Sequence, residues 1–313
     1  MNLMRRHGRS DPGAAAPPGI DARLDDPRVR VFALVVAVLA VSSAAILVRV
    51  ADAPALAAAF WRTGLGAVAL APFALRTRIV PVGRQRWLLT ASGVLLAVHF
   101  GLWFVSLDLT TVAASSVLVS MSPVVVGAGS ALLLHEPPAR STWAGLVLAT
   151  AGAVVIAGAD LDGATGRRAL LGDGMAFAAA VAVAGYLLLG RHARRNLPVT
   201  VYATWTYGIA ALLLLTVCVV TGIDTGVGGG YDVATWLAIA GLVAGPQLLG
   251  HTVFNLVLAR VSATVVAVVI IAEPIGASVL AALLLGETPS GLFWVGAPLV
   301  LGGVTLASWP RRA

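Results

Sequence analysis

The chain has 313 residues, of which 59% are hydrophobic and only 11% charged, with a formal net charge of +7. Soluble domains carry about 25% charged residues, so a chain with a mean hydropathy of +0.93 cannot cover itself with a water-compatible surface and belongs in a bilayer. Every basic residue apart from histidine is an arginine, which reads as retention of cytoplasmic loops rather than nucleic-acid binding, and the single cysteine, Cys218, excludes an intramolecular disulfide.

Residues 1–30 are rich in Arg, Asp, Pro, Gly and Ala and read as a disordered cytoplasmic tail. Arg5-Arg6 does not open a twin-arginine signal, because no apolar segment follows until Val31 and no small-residue cleavage site precedes Arg49. From there apolar runs recur near the roughly 20 residues that a membrane helix needs. The predicted spans are 31–50, 54–75, 87–106, 111–134, 142–159, 171–190, 199–221, 233–258, 262–285 and 291–309. Helices satisfy their own backbone groups in hydrocarbon, so the expected fold class is an all-α integral membrane protein with ten transmembrane helices.

Arginine placement orients the spans. With the N-terminus inside, the inner segments hold Arg76, Arg78, Arg84, Arg86, Arg140, Arg191, Arg194, Arg195 and Arg260, while the outer loops hold only Arg167 and Arg168. Asp52, Asp108, Asp160, Asp162, Asp224 and Asp232 fall outside. Both termini are therefore expected in the cytoplasm, in the inner or plasma membrane.

The stretch Ile271–Pro289 has an earlier counterpart, Ser120–Pro138, at an offset of 151 positions. Without gaps, that offset sets Pro123 on Pro274, Glu136 on Glu287, Pro138 on Pro289, Trp143 on Trp294, Gly145 on Gly296 and Gly152 on Gly303. Apolar low complexity would match Leu to Leu, but not these residues, so the chain is read as a duplicated unit. Each copy holds five spans, an odd number, so the second enters the membrane from the opposite side. The expected domains are the tail 1–30, a first repeat 31–159 and an inverted second repeat 172–309. Inverted repeats place a binding site near the bilayer midplane, between the copies.

The pattern resembles the ten-helix drug/metabolite transporter superfamily, specifically its EamA-type exporters. The resemblance covers both repeats. It rests on Phe60-Trp61-Arg62 in the second span, on Ser122-Pro123 and Glu136 in the fourth, on Glu273-Pro274 and Gly286-Glu287 in the ninth, and on the Gly-rich fifth and tenth spans. It implies small-molecule efflux without ATP and fixes no substrate.

Several residues could carry that chemistry. Glu273 is an acid deep in a span beside Pro274; it either serves a proton-coupled step or is a protonated structural group bonded to a neighbouring helix. Pro123 and Pro274 are expected helix breaks that expose carbonyls or are simply tolerated kinks. His99 and His251 lie one residue from equivalence under the offset and are proton relays or satisfied polar groups. They do not make a zinc pair, for want of further ligands. Arg62 either attracts a carboxylate substrate or pairs with Asp52, Asp108 or helix-end carbonyls. Trp103, Trp205, Tyr186 and Asn255, with Trp61, Tyr202, Tyr207 and Gln247, lie deeper and are candidates for a cavity wall; for each alone, packing is the blander reading. Trp87, Trp143, Trp236, Trp294 and Trp309 read as interfacial anchors. Gly241-x-x-x-Gly245 permits close helix approach and does not by itself show a dimer.

With no lysine there is no G-x-x-x-x-G-K-[ST], so ATP-driven transport within this chain is excluded. No nucleophile–His–Asp set stands out, so an enzyme is not expected, nor a cofactor, a metal or a nucleic-acid partner. The expected partners are a small solute and the lipid bilayer, with a homodimer left open. The leading reading is a secondary transporter exporting a small amphipathic metabolite, amino acid or drug. Its alternatives are uptake or lipid flipping on the same fold, and an integral-membrane enzyme.

Overall fold

The computed structural model describes residues 24–110, 115, 118–157, 166–285 and 291–308. The first helix, α1 (Pro27–Ser42), starts where Asp26 accepts a hydrogen bond from the Arg28 N–H at 2.8 Å and Pro27 supplies a preset φ. The first expected span then breaks at Ser43 and continues as α2 (Ala44–Val50). α3 (Ala55–Arg76), α4 (Arg84–Leu109), α5 (Ser122–Leu133) and α6 (Arg140–Ala157) complete the first half. The second half runs through α7 (Arg167–Ala193) and α8 (Val199–Thr221), which ends on Gly222 in the left-handed conformation. Asp232 then caps α9 (Val233–Leu242) by accepting from the Thr235 N–H at 2.8 Å. The same run continues as the π-helix α10 (Val243–His251) and α11 (Thr252–Val257). α12 (Ala263–Ile270), α13 (Glu273–Leu285) and α14 (Gly291–Ser308) close the chain.

The fold is all-helical among the described residues. Six stretches are long and apolar enough to cross a bilayer: Pro27–Val48, Ala55–Arg76, Arg84–Leu109, Arg167–Ala193, Val199–Thr221 and Val233–Val257. Shorter apolar helices cover parts of the expected spans 111–134, 262–285 and 291–309. Residues 1–23, Asp160, Asp162, Glu287, Pro289 and Trp309 lie outside the described residues.

The outer surface is apolar, with Phe32, Leu75, Val220 and Leu237 all exposed, while the largest fully buried side chains include Arg62, Tyr186, Tyr202 and Tyr207. That is the reverse of a soluble protein and fits lipid as the surrounding solvent. The helix pairings form an orderly set. α4 packs on α7 as α10 packs on α1; α5 packs on α7 as α13 packs on α1; and α4 packs on α8 as α10 packs on α3. The remaining principal pairs are α3 with α8, α5 with α12 and α6 with α14.

Glycine makes the α6–α14 contact possible. A Cβ on Gly145 would lie 2.4 Å from the Gly303 carbonyl oxygen, and one on Gly152 would lie 2.7 Å from that of Gly296. The early glycine of one helix thus meets the late glycine of the other, so the two helices run antiparallel. Gly241 and Gly245 similarly face Leu47 and Ser43, so this Gly-x-x-x-Gly serves an internal contact. One expected tryptophan placement changes. Trp61 is not deep: its indole N–H donates to the Thr225 carbonyl at 2.7 Å in the loop after α8, and its ring meets Trp236. Trp143 stands over Gly127 and is partly exposed, and Trp87 and Trp294 project outward.

One end of the bundle is tied by charge. Arg191 donates to Glu136 at 3.1 Å and to the Leu258 carbonyl at 2.8 Å, joining the ends of α7 and α11 to the segment after α5, and Arg195 adds a 2.5 Å bond to the same carboxylate. Burial pushes the Glu136 carboxyl up, but Arg191 and Arg195 outweigh it and hold it below the usual 4.5. A carboxyl lowered in the folded state stabilises above its unfolded pKa, and the contribution is lost as pH falls through the folded value. Thermal unfolding across pH 7 to pH 3 should therefore show Glu136→Gln converging on the wild type at acid pH. The gap at neutral pH should be small, about 1 kcal/mol or less, because the cluster is partly solvated. A gap that widens on acidification would contradict this assignment.

Candidate functional site

Arg62 organises the interior. It sits on α3 two turns from the helix start and is 1% exposed. None of the acids expected to pair with it does so. Its Nε–H donates instead to Gln247 Oε1 at 2.8 Å, and the guanidinium lies 4.3 Å from the centre of the Phe100 ring. Its Nη1 has no partner among the described residues. A hydrogen bond from a charged donor contributes about 1.5–3 kcal/mol net, and a buried donor left unsatisfied costs about 1–3 kcal/mol, more when it is charged. The site therefore holds a desolvated charge with incomplete compensation. Glu273 is half-buried at the start of α13 and makes no ion pair with Arg62 among the described residues.

Gln247 reaches Arg62 because α10 is a π-helix. Pro246 within it has no N–H to continue the α-pattern and its ring crowds the preceding turn, so the wider π-turn accommodates it. Glycine keeps the approach open: a Cβ on Gly66 would lie 2.8 Å from the Gln247 side chain.

Around this pair stands an aromatic and polar wall. His99 holds the Ala179 carbonyl at 3.0 Å through Nδ1, and its ring stacks on Trp103 at 5.9 Å. Both expected histidines touch one ring: His99 lies 4.9 Å and His251 5.2 Å from Phe100. His251 also meets Tyr186 at 6.5 Å. Asn255 donates to the hydroxyls of Tyr186 and Tyr207, the latter at 3.2 Å, and Tyr207 bonds Thr252 at 3.1 Å. Tyr202 bonds Ser92 at 2.5 Å alongside.

Of the expected site residues, Arg62, His99, His251, Trp103, Tyr186 and Asn255 thus form one connected cluster. Glu273 stands at its edge, held by its backbone: Ser42 Oγ donates to the Glu273 carbonyl at 3.0 Å. Pro123 and Pro274 both stand in the first turn of a helix that follows a break, on α5 and α13. Trp205 does not join. It is 37% exposed, on the face of α8 turned away from the buried stripe of Tyr202, Thr206, Tyr207 and Ala210. Gln247 and Phe100 are more central than the sequence suggested, and Pro246 between glycines was the available signal for the former.

An apolar exterior around a buried arginine, amide and aromatic cluster fits a multi-pass membrane protein. The EamA-like transporter family matches residues 29–158 and again residues 170–309. The chain belongs to that family and is a membrane transporter. It is 28% identical over 242 residues to the uncharacterized transporter YwfM of Bacillus subtilis (strain 168), covering 75% of this chain and 78% of that one. A solved crystal structure superposes with a TM-score of 0.75 at 22% identity, over 90% of this chain and 97% of the other, which bears on the fold alone.

Proposed function

We propose that the protein is a secondary active transporter that exports a small amphipathic metabolite, amino acid or drug across the cell membrane by alternating access, with both termini cytoplasmic. The observation that carries this reading is the buried cluster of Arg62, Gln247, His99 and Asn255, with half-buried His251 and Glu273 beside it, inside an otherwise apolar bundle. Its members come from both halves of the chain. Ten spans in two inverted five-helix repeats supply the frame. The pairings support that frame, since exchanging the halves turns each of these helix contacts into itself or into another of them. So does the Gly145–Gly303 and Gly152–Gly296 cross-match: under the 151 offset each pair maps onto the other, as a two-fold requires, and the antiparallel crossing suits an axis in the membrane plane.

Glu273 carries the coupled proton in this reading, because it is an acid within a broken span beside the Arg62 field. In proteoliposomes, Glu273→Gln should insert normally and lose the pH dependence of transport or fall in rate by about a hundredfold or more, the low end of general acid–base contributions. Unchanged rate and unchanged pH dependence would make Glu273 structural.

A further inference from the structure

We propose that the Arg62–Gln247 pair is an anion subsite that takes the carboxylate of a small solute whose apolar body lies against Phe100 and Trp103. The inference rests on the transporter reading above and assigns that site its ligand chemistry. Six buried side-chain polar atoms lack a partner among the described residues, and four of them belong to this cluster: Arg62 Nη1, Gln247 Nε2, Trp103 Nε1 and Asn255 Oδ1. The other two, on Thr150 and Thr204, belong to separate helices of the bundle. Buried polar groups in proteins are nearly always satisfied, so four orphans in one cluster point to a missing partner.

The chemistry of that partner follows from the donors. A guanidinium has no acceptor, so its Nε–H fixes Gln247 with the oxygen toward Arg62 and the NH2 away. The open groups of Arg62, Gln247 and Trp103 are therefore all N–H donors, and Arg62 carries a full positive charge with no acid in direct contact among the described residues. Three donors and a cation select an oxyanion over an ammonium or a neutral amide. Phe100 covers one face of the guanidinium, and the Trp103 ring stacks on His99, so the walls next to the donors are aromatic. An inorganic anion would satisfy the donors but leave those walls without a partner.

Isothermal titration of the full-length protein in detergent, with sodium 3-phenylpropionate, 3-phenylpropionamide, 3-phenylpropylamine and sodium chloride as probes, tests this. The carboxylate should bind at least tenfold more tightly than the amide or the amine, and chloride should not displace it at equal concentration. Gln247→Glu keeps the acceptor for Arg62 Nε, replaces the open donor with a carboxylate and should fold; it should lose the carboxylate preference. Asn255→Asp, which leaves the Arg62–Gln247 pair intact, should lower affinity less. Equal binding of carboxylate and amide, no binding of the carboxylate, displacement by chloride, or a preference that survives in folded Gln247→Glu would each overturn the subsite. Carboxylate binding without counterflow in vesicles would instead leave the subsite standing and remove the transporter reading.

Discussion

Arg62→Met should yield a protein that folds at least as well as the wild type and transports nothing. The guanidinium is 1% exposed and lacks an acid in direct contact, so its replacement by an unbranched apolar side chain removes a desolvated charge and one orphaned donor. Substituting buried charges by well-packed apolar groups is often neutral or stabilising by about 1–4 kcal/mol. The thioether fills much of the same space and keeps a contact with Phe100; the one new defect is an unpaired Gln247 Oε1, worth about 1–3 kcal/mol. We expect an unfolding temperature equal to or a few degrees above wild type, together with a fall in transport of about a hundredfold or more, the effect of removing a charged partner in a dry site. Thermal unfolding and vesicle flux measured on the same preparation decide it. An unfolded variant would make Arg62 structural, and undiminished flux would remove it from the pathway.

Gly303→Leu should give a large stability loss. A Cβ there would lie 2.4 Å from the Ala149 backbone N and 2.6 Å from the Gly145 carbonyl oxygen, so main chain rather than a flexible side chain would have to move. Overpacking a core costs about 1–3 kcal/mol even where side chains can shift, and a clash with backbone exceeds that range. Gly302, its neighbour on α14, is the matched control: a Cβ there meets only Leu148 Cδ2, at 3.7 Å. Size-exclusion profiles should show Gly303→Leu aggregated or absent and Gly302→Leu monodisperse. Equal behaviour of the two would mean that the α6–α14 contact does not hold the bundle together.

Much of this was readable from residues alone. Apolar runs of bilayer length marked the helices, because hydrocarbon demands little else of a span. The 151 offset singled out Gly145, Gly152, Gly296 and Gly303, which do turn out to meet across α6 and α14. Glu136 and Arg191 fell at the same predicted face and are joined there. The rotation of each helix was much harder to read. Lipid and protein interior are both apolar, so a helix such as α8, hydrophobic on all sides, gives no moment to say that Trp205 faces outward while Tyr202 and Tyr207 face inward. The π-helix was hidden for a related reason. An apolar run looks the same whether its turns are α or π, and Pro246 alone does not disclose that Gln247 is carried round to Arg62. Trp61 was misplaced in depth because the loop that supplies its acceptor, around Thr225, is brought over by the tertiary fold.

The central claim is that the cluster around Arg62 and Gln247 binds a solute and presents it to either side of the membrane in turn. Counterflow tests it most directly: purified protein in proteoliposomes preloaded with an unlabelled solute, with labelled solute outside and no ATP or ion gradient. For a solute that the purified protein binds, preloading should accelerate and transiently concentrate the label, and Gln247→Glu should abolish the effect. A solute that binds the folded protein with no acceleration by preloading would contradict alternating access at this site.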